Sequence, residues 1–312
     1  MLKKIKLTYQ VYNFFQKKKL THNIPKLKQL GIGKKYYASI CAKDFENIPF
    51  QHNIHDVKDS KQELPKQAKF QKLSSDIQES IKSWSENGYV VLKNYFSEQQ
   101  IDEANDEVDK LLKTGDLNFV NGNKIMFSIH KSKLLKNIGW HPKIQNILEL
   151  LLGKEIWLFQ SLNFITGSQQ GAHSDAISMT TFPHGNLIAI WVALEDTTME
   201  NGPLFYYPNS HRLPYVMNSD FDNNSSKFFL GKKSYQDYLN KIQDNINKHK
   251  LEKKYFLAKK GDVLIWHHNL IHGGEKVTNP KLTRKSMVFH YYAKDAVCYH
   301  EISERPTLYK AL

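Results

Sequence analysis

Five short apolar runs crowd the second half of this chain: EIWLFQSLNFI (155–165), LIAIWVAL (187–194), PLFYYP (203–208), DVLIWHH (262–268) and KSMVFHYY (285–292). Each is short, rich in β-branched and aromatic residues, and bounded by Gly, Pro or Asn, which is the pattern of strands joined by turns. Upstream the pattern is mixed. Tyr89 to Leu92 reads as a strand, and Ser97 then caps a helix whose apolar positions Ile101, Val108 and Leu111 recur at helical spacing. A second helix is expected from about His141 to Leu152. Helices first and many short strands afterwards predict an α+β protein built on a β-sandwich or barrel.

A chain of 312 residues with 40% hydrophobic content can bury a full core. It has no apolar run near the roughly 18 residues of a membrane span, and its N-terminal lysines lack the apolar core of a signal peptide after them. Two cysteines, Cys41 and Cys298, make neither a disulfide framework nor a multi-thiolate zinc site, and they fit a cytoplasmic location. The net charge of +13 is concentrated: eleven lysines precede the first acidic residue, Asp44, and the other 269 residues hold 33 basic against 31 acidic groups. Only three of the 44 basic residues are arginines, Arg212, Arg284 and Arg305. Arg is the residue that reads guanine and grips phosphate in pairs of bonds, so the composition argues against nucleic-acid binding and makes each arginine one to explain.

Residues 1–43 mix these lysines with Leu2, Ile5, Tyr9, Val11, Tyr12, Phe14 and Phe15, spread around a helical projection without a clean stripe. Such an arm can pack on its own domain, the preferred reading, or make a peripheral contact with an anionic membrane or an acidic partner. Residues 44–75 read as an irregular connection. The expected organisation is a basic extension and linker, 1–75, followed by one domain, 76–312.

Within GAHSDAIS (171–178), His173 and Asp175 stand two apart. On an extended chain that spacing puts both on one side, and Ile165, Thr166, Ile177, Thr180 and Thr181 favour strand around them. A metal would need a third ligand from another strand, and GDVLIWHHNLIHGG (261–274) offers His267, His268 and His272. His272 is preferred, because it follows a strand and a turn and precedes Gly273 and Gly274, which allow close approach. His267 and His268 then finish the strand, one inward and one outward. Two histidines and a carboxylate leave three positions open on non-haem Fe(II), and zinc accepts the same set. Twelve residues on, Arg284 heads the last strand; its fork suits a carboxylate, so beside an iron site it points to a dicarboxylate cosubstrate. Arg212 reads as a surface salt bridge or an anion contact, His184 as a loop residue and His290 as a histidine of the barrel interior. Ile177, Met179, Thr180, Trp191, Tyr206, Tyr207 and the insertion 218–254 are candidates for a substrate-pocket wall.

Taken in order, GYVVLKNYFSEQQIDE, QSLNF, HSD, WVALED, NGPLFYYPNSH, GDVLIWHHNLIHGG and TRKSMVFHYYA resemble the phytanoyl-CoA dioxygenase family of Fe(II)/2-oxoglutarate oxygenases over roughly Asn87 to His300. The resemblance implies a double-stranded β-helix (jelly-roll, cupin-like) core with flanking helices. It implies iron ligation by His173, Asp175 and His272, a hold on the distal carboxylate of 2-oxoglutarate by Arg284, and a cosubstrate site lined by Gln160 and Trp191. The reaction implied is hydroxylation of an unactivated C–H bond of a small-molecule or conjugated metabolite, with molecular oxygen consumed; Asp175 argues against a halogenase. There are two departures. Ser174 stands where many relatives have Gln, and Gly274 replaces a serine whose hydroxyl is expected to bond the cosubstrate, with Thr283 or Ser286 as candidates to replace it. Were Arg284 turned elsewhere, Lys285 would be the alternative grip. The rival reading is a non-catalytic metal-binding jelly-roll protein tethered to a membrane or partner by its basic arm.

Overall fold

A computed structural model of the chain describes residues 4–120 and 122–312. Its strands are β1 (Tyr89–Leu92), β2 (Phe119–Val120), β3 (Lys124–Met126), β4 (Ile156–Phe164), β5 (Thr180–Phe182), β6 (Leu187–Ala193), β7 (Leu204–Tyr206), β8 (Lys254–Phe256), β9 (Val263–His267), β10 (His272–Gly274), β11 (Ser286–Ala293), β12 (Val297–His300) and β13 (Arg305–Pro306). Seven form one sheet in the order β1-β9-β6-β11-β4-β3-β2, every neighbouring pair antiparallel. Two three-stranded sheets, β10-β7-β8 and β13-β12-β5, complete the β part. The helices of ten residues or more are α1 (Lys6–Phe15), α2 (Glu98–Lys113), α3 (Pro142–Leu152) and α4 (Tyr235–Lys248).

Alternation along the strands builds the layers. On β6, Ile188, Ile190 and Val192 join Val263, Ile265, Met287 and Phe289 against Ile101 and Val108 of α2 and Ile144, Ile147 and Leu148 of α3. Ala189, Trp191 and Ala193 point the other way and meet Leu204, Tyr206 and Phe256 of the β10-β7-β8 sheet. Both faces of β6 are therefore buried, which is why it reads as an unbroken apolar run although its sheet is antiparallel. Ser97 starts α2 with a reciprocal capping box to Gln100, worth about 1 kcal/mol. The result is an α+β jelly roll with helices outside the large sheet and a polar-lined space between the two inner faces.

The arm lies on this body. Leu27, Ile40 and Phe45 pack with Phe182, Val297 and Tyr299, and Phe45 stacks on Phe182 at 4.3 Å. Lys26 donates a buried 2.6 Å bond to the Ala296 carbonyl. Residues 44–75 depart from the irregular connection expected of them: they form helical turns at Ile54–Val57, Ser60–Glu63, Leu64–Lys66 and Ala68–Gln71, and they bury Leu64 and Phe70. One apolar residue per turn suffices to dock so short a turn, and that density leaves no periodic signal. Among the described residues no helix is long and apolar enough to cross a membrane.

Candidate metal centre

His173 and His272 form a single antiparallel bridge, exchanging backbone bonds of 2.9 Å in both directions. Their rings therefore stand side by side, with centroids 4.5 Å apart. Asp175 does not continue a strand, contrary to expectation; the chain turns into a 3-10 turn at Asp175–Ile177, and this turn swings the carboxylate back toward the two rings. Ser174 sets the turn. Its Oγ accepts from Ala176 N at 3.1 Å, and its own N–H and carbonyl are bonded at 3.0 and 3.1 Å by the Tyr238 hydroxyl of α4. A serine at this position thus works as a local cap.

The Nε2 atoms of His173 and His272 lie 4.0 and 3.9 Å from Asp175 Oδ1. Among the described residues this is the group of three metal-ligating side chains whose donor atoms fall within 4.8 Å of one another. Each ring pairs Nδ1 with a carbonyl at 2.9 Å, Gly171 for His173 and Leu270 for His272, so the proton sits at Nδ1 and Nε2 offers a lone pair. Trp266 Nε1 donates to Asp175 Oδ2 at 2.8 Å, leaving Oδ1 to face the rings. Burial, reinforced by His272, pushes His173 down to about 4. Burial acts to raise the Asp175 carboxyl, but His272, His290 and His173 outweigh it and hold the group well below the usual carboxylate range. A neutral imidazole beside an ionised carboxylate is the protonation state that a divalent cation requires.

The other histidines serve elsewhere. His267 Nε2 meets Asp56 Oδ1 at 3.2 Å, and His268 Nε2 pairs with the Met179 carbonyl at 3.0 Å. Both are buried, with different partners, and the 44–75 segment covers His267. His184 stacks on Tyr215. His290 faces the interior, 3.6 Å from Asp175 Oδ2.

The donors open onto a cavity of about 430 Å³, whose wall includes Gln160, Phe164, Met179, Trp191 and Arg284. Arg284 is 2% exposed, and its guanidinium carbon sits 5.4 Å from the Trp191 ring centre and 6.0 Å from that of Phe164. Burial lowers its pKa to about 10, which leaves it cationic at neutral pH. Its Nε has no hydrogen-bond partner. Glu195, the carboxylate that acts on it, is engaged by the Thr283 hydroxyl and by Lys285 N–H. Thr283 thereby lies outside the cavity, correcting the cosubstrate role expected of it. Ser286 lies two residues from Arg284 along the strand, hence on the same face, with its buried hydroxyl unpartnered. Lys285 reaches Asp109 at 3.1 Å and is no substitute grip. Arg212 donates to the Ser85 carbonyl at 2.8 and 3.2 Å, neither a salt bridge nor an anion contact.

Trp266, Lys124 and Ser168 are among the wall residues that carried no role in the sequence reading. Trp266 was legible by parity with Leu264 on the inner face of β9. Lys124, on β3, lines the cavity and its charge acts on His173. Ser168, in the loop after β4, also lines it, and a Cβ built on Gly274 would sit 2.3 Å from Ser168 Oγ. The Ser168 hydroxyl thus occupies the space that a side chain at 274 would take. Of the expected pocket wall only Met179 and Trp191 take part; Ile177, Tyr206 and Tyr207 turn into core clusters, and Thr180 donates to the Ala176 carbonyl. The 218–254 insertion braces the ligand loop from behind through α4.

Residues 84–286, close to two thirds of the chain, match the model of the phytanoyl-CoA dioxygenase (PhyH) family. Phytanoyl-CoA dioxygenase domain-containing protein 1 of Danio rerio is 36% identical over 96 residues, 28% of this chain and 32% of that protein, so the match spans about a third of that relative's length. The homolog of Caenorhabditis elegans is 23% identical over 262 residues, 65% of this chain and 86% of that protein. Two solved structures share the fold. The non-haem α-ketoglutarate-dependent carbocyclase SnoK from nogalamycin biosynthesis superposes with a TM-score of 0.59 at 18% identity over 74% of this chain and 88% of that one. EctD from S. alaskensis with 2-oxoglutarate and 5-hydroxyectoine gives 0.52 at 19% identity over 71% and 76%. By the extent of the family match, the chain belongs to the phytanoyl-CoA dioxygenase family.

Proposed function

We propose that the protein is an Fe(II)- and 2-oxoglutarate-dependent oxygenase that hydroxylates an unactivated C–H bond of a small-molecule or conjugated metabolite. Arg284 carries the reading: a buried guanidinium with no ion-paired carboxylate among the described residues, opening on the same cavity as His173, Asp175 and His272. A buried cation is costly unless paired, so the site fits a bound carboxylate. His173, Asp175 and His272 would hold the iron, and Arg284, with Ser286 beside it and Gln160 and Trp191 on the wall, would hold 2-oxoglutarate. When bound, the iron supplies the oxygen chemistry, coupling decarboxylation of 2-oxoglutarate to succinate with oxygenation of the substrate. The chain's own part is to orient both ligands and exclude water. A non-catalytic tethered protein leaves the buried Arg284 without a purpose. We also assign the protein a cytoplasmic location with peripheral membrane contact, the contact being favoured by the exposed apolar residues Leu7, Val11, Phe14 and Phe15 on α1.

Anaerobic Fe(II) with 2-oxoglutarate should give a weak visible charge-transfer band. Arg284→Ala should weaken 2-oxoglutarate binding by about 2–5 kcal/mol and leave iron binding intact, with Arg284→Lys between it and the wild type. Unchanged 2-oxoglutarate binding in both variants, measured by calorimetry, sinks the proposal.

A further inference from the structure

The metal cavity continues into a second one. Gln160, Ser178, Met179 and His300 line both, and the second, of about 220 Å³, is closed by Tyr12 and Asn13 of α1, by Phe127 and Phe159, and by Arg305. Its charge is one-sided. Arg305 donates Nε–H to Ser303 Oγ at 3.2 Å and lies over the Tyr9 ring at 5.3 Å. Among the described residues no carboxylate pairs with it; the neighbouring Glu304 is taken by Lys6 at 2.6 Å. Among the described residues, Asp175 is the one carboxylate that lines either cavity. His300 adds no second positive charge at neutral pH, because burial, reinforced by Arg305, pushes it down to about 4.

Phe127, Phe159, Met179, Pro306 and Leu308 give the wall an apolar part beside the polar Asn13, Gln160, Ser178 and Thr307. Phe127 adopts φ 61°, a left-handed conformation that is strained for a bulky residue. Its ring, 41% exposed, lines the chamber and stacks on His130. The three arginines of this lysine-rich chain then divide cleanly: Arg212 holds a carbonyl, Arg284 faces the metal cavity, and Arg305 stands in the adjoining chamber with a guanidinium to offer.

We propose that this second chamber docks the substrate, and that the substrate carries an anionic group, a carboxylate or a phosphate monoester, on an apolar body. Arg305 grips the anion, Phe127, Phe159 and Tyr12 flank the body, and the reacting carbon is directed past Gln160 toward the metal donors. The basic extension is then part of the substrate site through α1. The word substrate rests on the oxygenase reading; the anion site does not.

The test uses full-length protein under anaerobic Fe(II) and saturating 2-oxoglutarate, which occupies Arg284. The probes are 1-naphthylacetate, 1-naphthyl phosphate and the neutral 1-naphthaleneethanol, titrated by calorimetry. At least one anion should bind about tenfold or more tighter than the alcohol, and Arg305→Gln should erase that preference while leaving alcohol binding unchanged. Arg305→Lys should keep part of it, and Lys248→Gln, which removes one exposed charge on α4, should keep all of it. Preference for only one of the two anions identifies the group. Anions that bind no tighter than the alcohol, or a preference that survives Arg305→Gln, overturn the proposal. The charge-transfer band reads the other assignment separately: its absence from the wild type removes the oxygenase reading while Arg305-dependent anion binding still stands.

Discussion

Gly274 and Ser168 show how far single residues can be read from sequence. The family resemblance expects a hydroxyl at 274 that this chain lacks; the loop after β4 brings the Ser168 hydroxyl to within 2.3 Å of the position a 274 side chain would take. If the two positions are alternatives for one hydrogen bond, Ser168→Ala should raise the 2-oxoglutarate Kd about fivefold, the worth of one ordinary bond. Gly274→Ser alone should weaken binding through the clash, and the double variant should recover most of the affinity, a coupling that a double-mutant cycle measures directly. Additive losses would show the two sites to be independent. The convergence of His173, Asp175 and His272 was legible from the two-residue spacing of the first pair and the histidine-rich segment that offers the third, and Arg284 stood out because arginine is scarce in this chain. Ser168 and Lys124 were not, since common residues acquire a role only through the path of a loop or the register of an edge strand.

At the scale of elements, α1 explains why its own pattern misled. Its inner face carries Tyr9 and the buried, polar Asn13, while Leu7, Val11, Phe14 and Phe15 remain exposed outside. Apolar residues therefore occupy most of the circumference, and no single stripe emerges on projection. Leu7, Val11 and Phe15 recur every four residues beside Lys17, Lys18 and Lys19, the arrangement of a surface-seeking helix on anionic lipid. Full-length protein should co-sediment with phosphatidylserine vesicles at low salt and less at high salt, because electrostatic attachment is screened. Leu7→Glu with Phe15→Glu should abolish it without disturbing the inner face. Equal sedimentation of that variant and the wild type would assign the contact to some other surface. The strands and α2 and α3 were readable because each buries a face against a layer. The turns of 44–75 were not, because single residues such as Leu64 and Phe70 dock them.

The whole molecule is built around histidines held neutral. Burial is the largest cause in each case, and it lowers His22, His211 and His268 to about 3 and His184 and His300 to about 4. In the unfolded chain these groups titrate near 6.5, so between that pH and about 4 the unfolded state binds more protons than the folded one. The stability that neutral histidines confer is thus present above pH 6.5 and is lost as the pH falls through that window, by about 1.4 kcal/mol per group per pH unit. Glu301 opposes the trend: burial raises it to about 7, so its contribution is present below the ordinary carboxylate range and fades as the pH rises through 7. One carboxyl cannot offset five imidazoles, and a net loss of several kcal/mol is large against a total stability of about 5–15 kcal/mol. In metal-free protein the urea midpoint should therefore drop sharply between pH 7.5 and 5.5 with an unchanged slope, since the surface exposed on unfolding is the same. An equal or higher midpoint at pH 5.5 would mean that these histidines are reached by water and protonated in the folded state, and that the interior around His268 and the ligand loop is more open than the packing indicates.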